Sequence, residues 1–276
     1  MNRTPPAAVR RQLREEVGFG CPMPDCGIPY LTWHHFDPEW RVEQHHRPQG
    51  MIALCLTHAG HADADAYEKD YLHSLKQMRE GEVEEVKGRL AWMRRKLVAL
   101  VGGNWYYETP VILRVGSTDA IWFGRDSAGY LLLNLRMPTL SGEPRVVISE
   151  NFFTVGRDHV VDVECSARGK IIRISYPNAD EFAMRYRDIF DEDDLRARYG
   201  EQVGTHVVSD FVDFPVTVVE VSERTRNSEL EFGPTFTRLG GVTLNRSWFI
   251  GGPGINLSVN PLEESLYFPD GSAGGR

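Results

Sequence analysis

Apolar and polar residues follow different rhythms in the two parts of the chain. Residues 5–17 read as a short helix, with Pro5 and Pro6 suited to a first turn and Gly18 to a stop. Residues 31–35 and 51–54 are short β-prone runs that predict two strands. A helical pattern follows from about Ala62 to Arg79, and Gly81 interrupts it. Val83, Val86, Leu90, Met93, Leu97 and Leu100 then recur at steps of three and four. That spacing predicts a connecting helix over 82–101, whose seam either packs on its own chain or forms a homodimer.

Gly102-Gly103 reads as a boundary. Beyond it, β-branched and aromatic runs are split by Gly, Pro, Asn and Asp, at 111–115, 130–135, 145–148, 160–164, 170–176, 216–221 and 241–244. This predicts an antiparallel all-β domain, sandwich- or solenoid-like, with one helical interruption at 182–198 and a frayed tail at 271–276. The expected fold class is α+β, divided into a module at 1–81, the connecting helix at 82–103 and a β-rich domain at 104–276.

Composition changes this picture little, but the placement of charge, Cys and His changes it more. No apolar run approaches the ~18 residues of a membrane span, and the N-terminus lacks the apolar core of a signal peptide, so a cytoplasmic protein is expected. The net charge of −8 belongs to residues 104–276, because residues 1–103 are neutral. That acidity argues against a β domain that grips nucleic acid. Four cysteines do not make a disulfide scaffold, and three of them lie in the first 55 residues. Seven of the nine histidines fall between His34 and His73.

The clustering suggests metal. Cys21 and Cys26 flank a short knuckle, and Cys55 with His58 forms a Cys-x-x-His pair. Two such half-sites can share one tetrahedral Zn²⁺, and a closed four-ligand shell is structural rather than catalytic. Between and beyond them lie His34, His35, His45, His46, His61 and Asp63. On a strand, His34 and His35 are expected to face opposite sides, one towards a metal and the other towards solvent or substrate. Phosphodiester hydrolysis needs a divalent ion and a general base, and a neutral imidazole suits the latter role. Arg41 and Arg47 are candidate phosphate contacts. Asp158, His159 and Asp162 form a weaker cluster in the β-rich part.

Three strings carry a family resemblance: Gly18-Phe19-Gly20-Cys21, His34-His35-Phe36-Asp37-Pro38, and His46-Arg47-Pro48-Gln49-Gly50-Met51-Ile52-Ala53-Leu54-Cys55. Together they resemble the zinc-containing prokaryotic HNH endonucleases over roughly residues 10–80. The resemblance implies a ββα-metal fold and cleavage of DNA. It implies His35 as general base, His34 as a ligand of the catalytic ion (Mg²⁺, Mn²⁺, Ni²⁺ or Zn²⁺), and Cys21, Cys26, Cys55 and His58 as the structural zinc shell. Gly50 and Ala59 stand where that family carries further ligands, with His46 and His61 as the nearby replacements. The expected function is a metal-dependent DNA endonuclease, in a role such as anti-phage defence, with a ligand or protein bound at the β-rich domain. The alternative is a catalytically degenerate zinc module that binds nucleic acid or protein.

Overall fold

The computed structural model describes residues 2–78, 84–137, 139, 142–200, 203, 208, 210–225, 230–239 and 241–257. The expected tail at 271–276 lies outside these residues. Helix α1 (Ala7–Glu16) is followed by strands β1 (Tyr30–His35) and β2 (Met51–Cys55), then α2 (Leu56–Asp63), α3 (Lys69–Met78) and β3 (Glu85–Arg89). Next come β4 (Leu97–Val101), β5 (Asn104–Tyr107), β6 (Val111–Val115), β7 (Thr118–Arg125), β8 (Leu131–Arg136), β9 (Val147–Ser149) and β10 (Phe152–Gly156). Strands β11 (Asp162–Ser166), β12 (Ile171–Ser175) and β13 (Glu181–Ile189) precede α4 (Glu192–Tyr199). The last strands are β14 (Val216–Arg224), β15 (Leu230–Phe232), β16 (Thr237–Leu239), β17 (Val242–Leu244), β18 (Trp248–Ile250) and β19 (Ile255–Leu257). The fold is therefore mixed α+β. Among the described residues no helix is long and apolar enough to cross a membrane.

Two compact units divide the chain, and neither is continuous in sequence. The first comprises residues 1–91 and 154–177, the second 92–153 and 178–276. In the first unit β1 and β2 pair antiparallel, from Leu31 opposite Cys55 to His35 opposite Met51. On the other side of β1 lies β11, parallel, with Tyr30 opposite Cys165. β12 completes this part of the sheet antiparallel to β11. β2 is buried along its whole length, as its unbroken Met-Ile-Ala-Leu-Cys run requires. α1 packs against β2 and β11, and α2 against β1 and β2. Leu13, Val17, Leu31, Ile52, Leu54 and Leu75 lie in the resulting core. Arg14 emerges from α1 to grip Asp162 on β11 with two hydrogen bonds, one of them 2.9 Å long.

In the second unit β13 and β14 form a nine-residue antiparallel ladder. β4 lies parallel to β14 and antiparallel to β5, and β18 pairs parallel with β5. A second sheet contains β19, β6, β7, β8 and β9 in that order. The parallel pairs β4–β14, β5–β18 and β6–β19 correct the expectation of a purely antiparallel domain.

Three predicted elements differ. The expected helix over 82–101 is replaced, in its described part, by β3 and β4, so the seam proposed for a homodimer is not formed. Its 3-4 spacing loses to the continuous run Leu97-Val98-Ala99-Leu100-Val101, buried on both faces between β14 and β5. Gly102-Gly103 is then a two-residue hairpin turn, both glycines at positive φ, that joins Val101 to Asn104; it is not a domain boundary. The expected helix at 182–198 splits into β13 and α4. Phe182, Met184 and Tyr186 alternate inwards on the strand, and Asp191 caps α4 by accepting from the Asp194 N–H at 2.8 Å. The helix expected from Ala62 begins earlier, at Leu56, and breaks after Asp63, where Asp65 adopts a left-handed φ of 59°.

Candidate metal centre and active-site cleft

The knuckle that carries Cys21 and Cys26 is a tight backbone turn. Cys21 N–H donates to Ile28, Gly27 N–H to Cys21 and Cys26 N–H to Met23. A Cβ on Gly20 would lie 2.6 Å from the Gly27 oxygen, so the turn closes only around glycine. The second half-site is the β2–α2 junction: Cys55 is the residue before the helix and His58 lies in its first turn. The four donor atoms lie within 4.8 Å of one another. His58 Nδ1 is 3.3 Å from both Cys21 Sγ and Cys55 Sγ, and Cys26 Sγ is 3.9 Å from Cys55 Sγ. Ligands about 2.3 Å from a tetrahedral ion lie about 3.8 Å apart, so the spacing fits Zn²⁺ and excludes disulfides. Burial pushes the Cys21 thiol up to about 12, and the Cys55 and Cys26 sulfurs add to the rise. A divalent cation among them is the partner that favours their thiolates.

Beside this shell lies a cleft of about 560 Å³, wholly within the first unit. Both His34 and His35 line it, but they touch different groups: His34 meets Asp63, and His35 meets Trp40, His45 and His46. His34 is buried, and its Nδ1 lies 3.1 Å from Asp63 Oδ1 at the end of α2. Burial lowers the His34 pKa, against the pull of Asp63. Arg3 approaches the same carboxylate at 3.6 Å.

His35 is nearly inaccessible, and burial lowers it to about 4, with the His45 ring acting in the same direction. It is therefore neutral at neutral pH. His46 Nε2 donates to the Asn2 carbonyl at 2.9 Å, and its Nδ1 lies 3.5 Å from His35 Nε2. His35 Nδ1 is buried, and a backbone hydrogen bond with His45 opposes the fall in the ring's pKa. Trp40 packs on both rings, with centroids 4.7 Å from His35 and 5.3 Å from His46. His45 is structural: its Nδ1 accepts from Arg47 N–H, and its Nε2 donates to the Pro38 carbonyl at 2.8 Å.

The remaining candidates separate. His46 supports His35 from outside the cleft lining, and His61 Nδ1 sits 3.2 Å from the Tyr67 hydroxyl. His34, His46 and His61 thus do not meet as three ligands; among the described residues the Cys₃His shell is the one such group. Arg41 lines the cleft and pairs with Glu39, whereas Arg47 lies outside the lining, clamped on Glu43 by both guanidinium nitrogens. Arg3, Lys69 and Asp63 also line the cleft. Asp63 lies one helical turn beyond Ala59, which is the signal that would have singled it out. Asp162, from the weaker cluster, is occupied by Arg14.

Comparison with family models, curated proteins and solved structures gives no match for this chain.

Proposed function

We propose that the first unit is a metal-dependent HNH-type endonuclease that hydrolyses DNA phosphodiester bonds, with the zinc shell as its scaffold. One juxtaposition carries this reading: a neutral His35 shares a cleft with the His34–Asp63 pair, beside the Cys21, Cys26, Cys55 and His58 donors. In this reading His34 and Asp63 hold the divalent ion, Mg²⁺, Mn²⁺, Ni²⁺ or Zn²⁺. When bound, the ion offsets negative charge on the phosphate oxygens. His35 takes a proton from water, with His46 beside it and held by the Asn2 carbonyl. Arg3, Arg41 and Lys69 offer charge-assisted hydrogen bonds to phosphate in exchange for their present carboxylate partners. The acidic β-rich unit acts as a sensor of a ligand or protein that controls the nuclease, in a role such as anti-phage defence.

Plasmid nicking with added Mg²⁺, Mn²⁺ or Ni²⁺ tests this. His35→Ala should lower the rate by about 10²–10⁴-fold, and Asp63→Ala should raise the metal concentration needed for cleavage. Equal cleavage by wild type and His35→Ala overturns the mechanism.

A second reading is a zinc-stabilised binding module without catalysis. It is favoured by Gly50 and Ala59, which cannot ligate, and by the single complete ligand cluster among the described residues. Metal counting separates the two. One zinc and no further ion under saturating Mn²⁺ or Ni²⁺ selects the binding module; a second bound ion selects the nuclease.

A further inference from the structure

Trp40 is half-buried and lines the His35 cleft of the first unit. An indole has two faces on which a flat group can stack. His35 and His46 pack on it, with ring centroids at 4.7 and 5.3 Å. Rings on opposite faces of the indole would be as far apart as those two distances together. They are 5.6 Å apart, so both lie towards one side. Among the described residues no further ring and no cation stacks on Trp40. Its other side thus carries no stacked partner, beside the imidazole that the nuclease reading makes the general base.

Charge in the cleft points the same way. Its cations, Arg3, Arg41 and Lys69, are outnumbered by the carboxylates of Glu39, Asp63, Asp65 and Glu68. Each cation is already paired, with Asp63, Glu39 and Asp37 respectively. A duplex keeps its bases stacked inside and offers such a surface mainly phosphates, whose grip grows with the number of cations that neutralise them. An unpaired nucleotide offers a base face as well, and stacking of that face on an aromatic ring needs no net positive charge.

We infer that the substrate of this cleft is DNA with unpaired nucleotides, one base of which stacks on the open side of Trp40 and brings its phosphate beside His35, with Arg3 and Arg41 on the neighbouring phosphates. The inference deepens the proposed function and rests on it. Trp40 is then the residue that selects a single strand over a duplex.

Fluorescence anisotropy of a labelled oligonucleotide, single-stranded or annealed to its complement, tests this on the full chain without added divalent ion. The single strand should bind about tenfold more tightly than the duplex. Log affinity should fall against log salt with a slope no steeper than about −2, as fits three cations. Trp40→Leu should lower single-strand affinity about tenfold and leave duplex affinity and bound zinc unchanged, and Trp40→Phe should recover most of the loss. Quenching of indole fluorescence by the single strand, smaller in Trp40→Phe than in the wild type, reads the stack without relying on the leucine variant. Equal or tighter duplex binding overturns the inference, as does single-strand affinity and quenching untouched by both substitutions. Duplex preference together with His35-dependent nicking would sink this inference and leave the nuclease standing. Trp40-dependent single-strand binding without metal-dependent cleavage would do the reverse, and absence of DNA binding overturns both.

Discussion

A Cβ on Gly50 would lie 1.8 Å from the Asp37 carbonyl oxygen and 3.0 Å from the His45 ring. The Gly50 carbonyl in turn accepts from the N–H groups of Phe36 and Asp37, closing the loop between β1 and β2. The residue that the family resemblance marks as a missing ligand is thus fixed by packing. Gly50→Ala should cost more than about 2 kcal/mol, visible as a lower urea midpoint, because backbone must move. An unchanged midpoint would show that the loop adapts. Glu223 gives a pH prediction. It is buried, its Oε1 lies 3.9 Å from Arg145 Nε, and burial raises it to about 7 despite that cation. The folded chain therefore holds a proton that the unfolded chain releases near 4.5. This stability is fully present below about pH 4.5 and is lost as pH rises through about 7, a change of roughly 3 kcal/mol. Glu223→Gln should flatten that decline in denaturation curves between pH 5 and pH 8; an identical slope in both proteins would remove Glu223 as its source. The zinc donors are legible at this scale because two half-sites, Cys-x₄-Cys and Cys-x-x-His, state the chemistry directly. Asp63 is legible as a member of the same cluster, but its pairing with His34 is not, because the two lie 29 residues apart and the packing of α2 on β1 joins them.

At the scale of elements, legibility follows from how far neighbours override local pattern. α1, β1, β2 and β6 fall where the sequence indicates, since each carries a clear stop or an unbroken apolar run. The 82–101 segment does not. Two of its six spaced apolar residues, Leu97 and Leu100, also fit a buried strand over Leu97–Val101, and pairing with β14, more than a hundred residues later, decides the outcome. The knuckle and the β2–α2 junction are irregular segments that the metal would tie together. A tight zinc chelator should therefore release one zinc per chain, open the first unit to protease within residues 18–60 and make Cys21 reactive to thiol reagents. Unchanged protease and thiol accessibility after zinc loss would show that the apolar core alone holds these elements.

At the scale of the molecule, the first unit borrows β11 and β12 from the middle of the chain. A fragment of residues 1–103 would leave the β1 edge without β11, Arg14 without Asp162 and Arg10 without Glu164. It should be less stable than the same unit in the full chain and prone to association through that edge, measurable by light scattering and thermal melting. A monomeric fragment that melts at the full-chain temperature would show that β11 is dispensable. The discontinuity also orders events during protein synthesis. Both zinc half-sites leave the ribosome long before the strand that completes their sheet. At about 5–20 residues per second, the intervening stretch 92–153 takes on the order of several seconds to translate. Any message broken within that stretch yields a product with its histidine cleft encoded but its sheet unfinished. Interleaving the two units in this way ties the maturation of the cleft to synthesis of the segment between them.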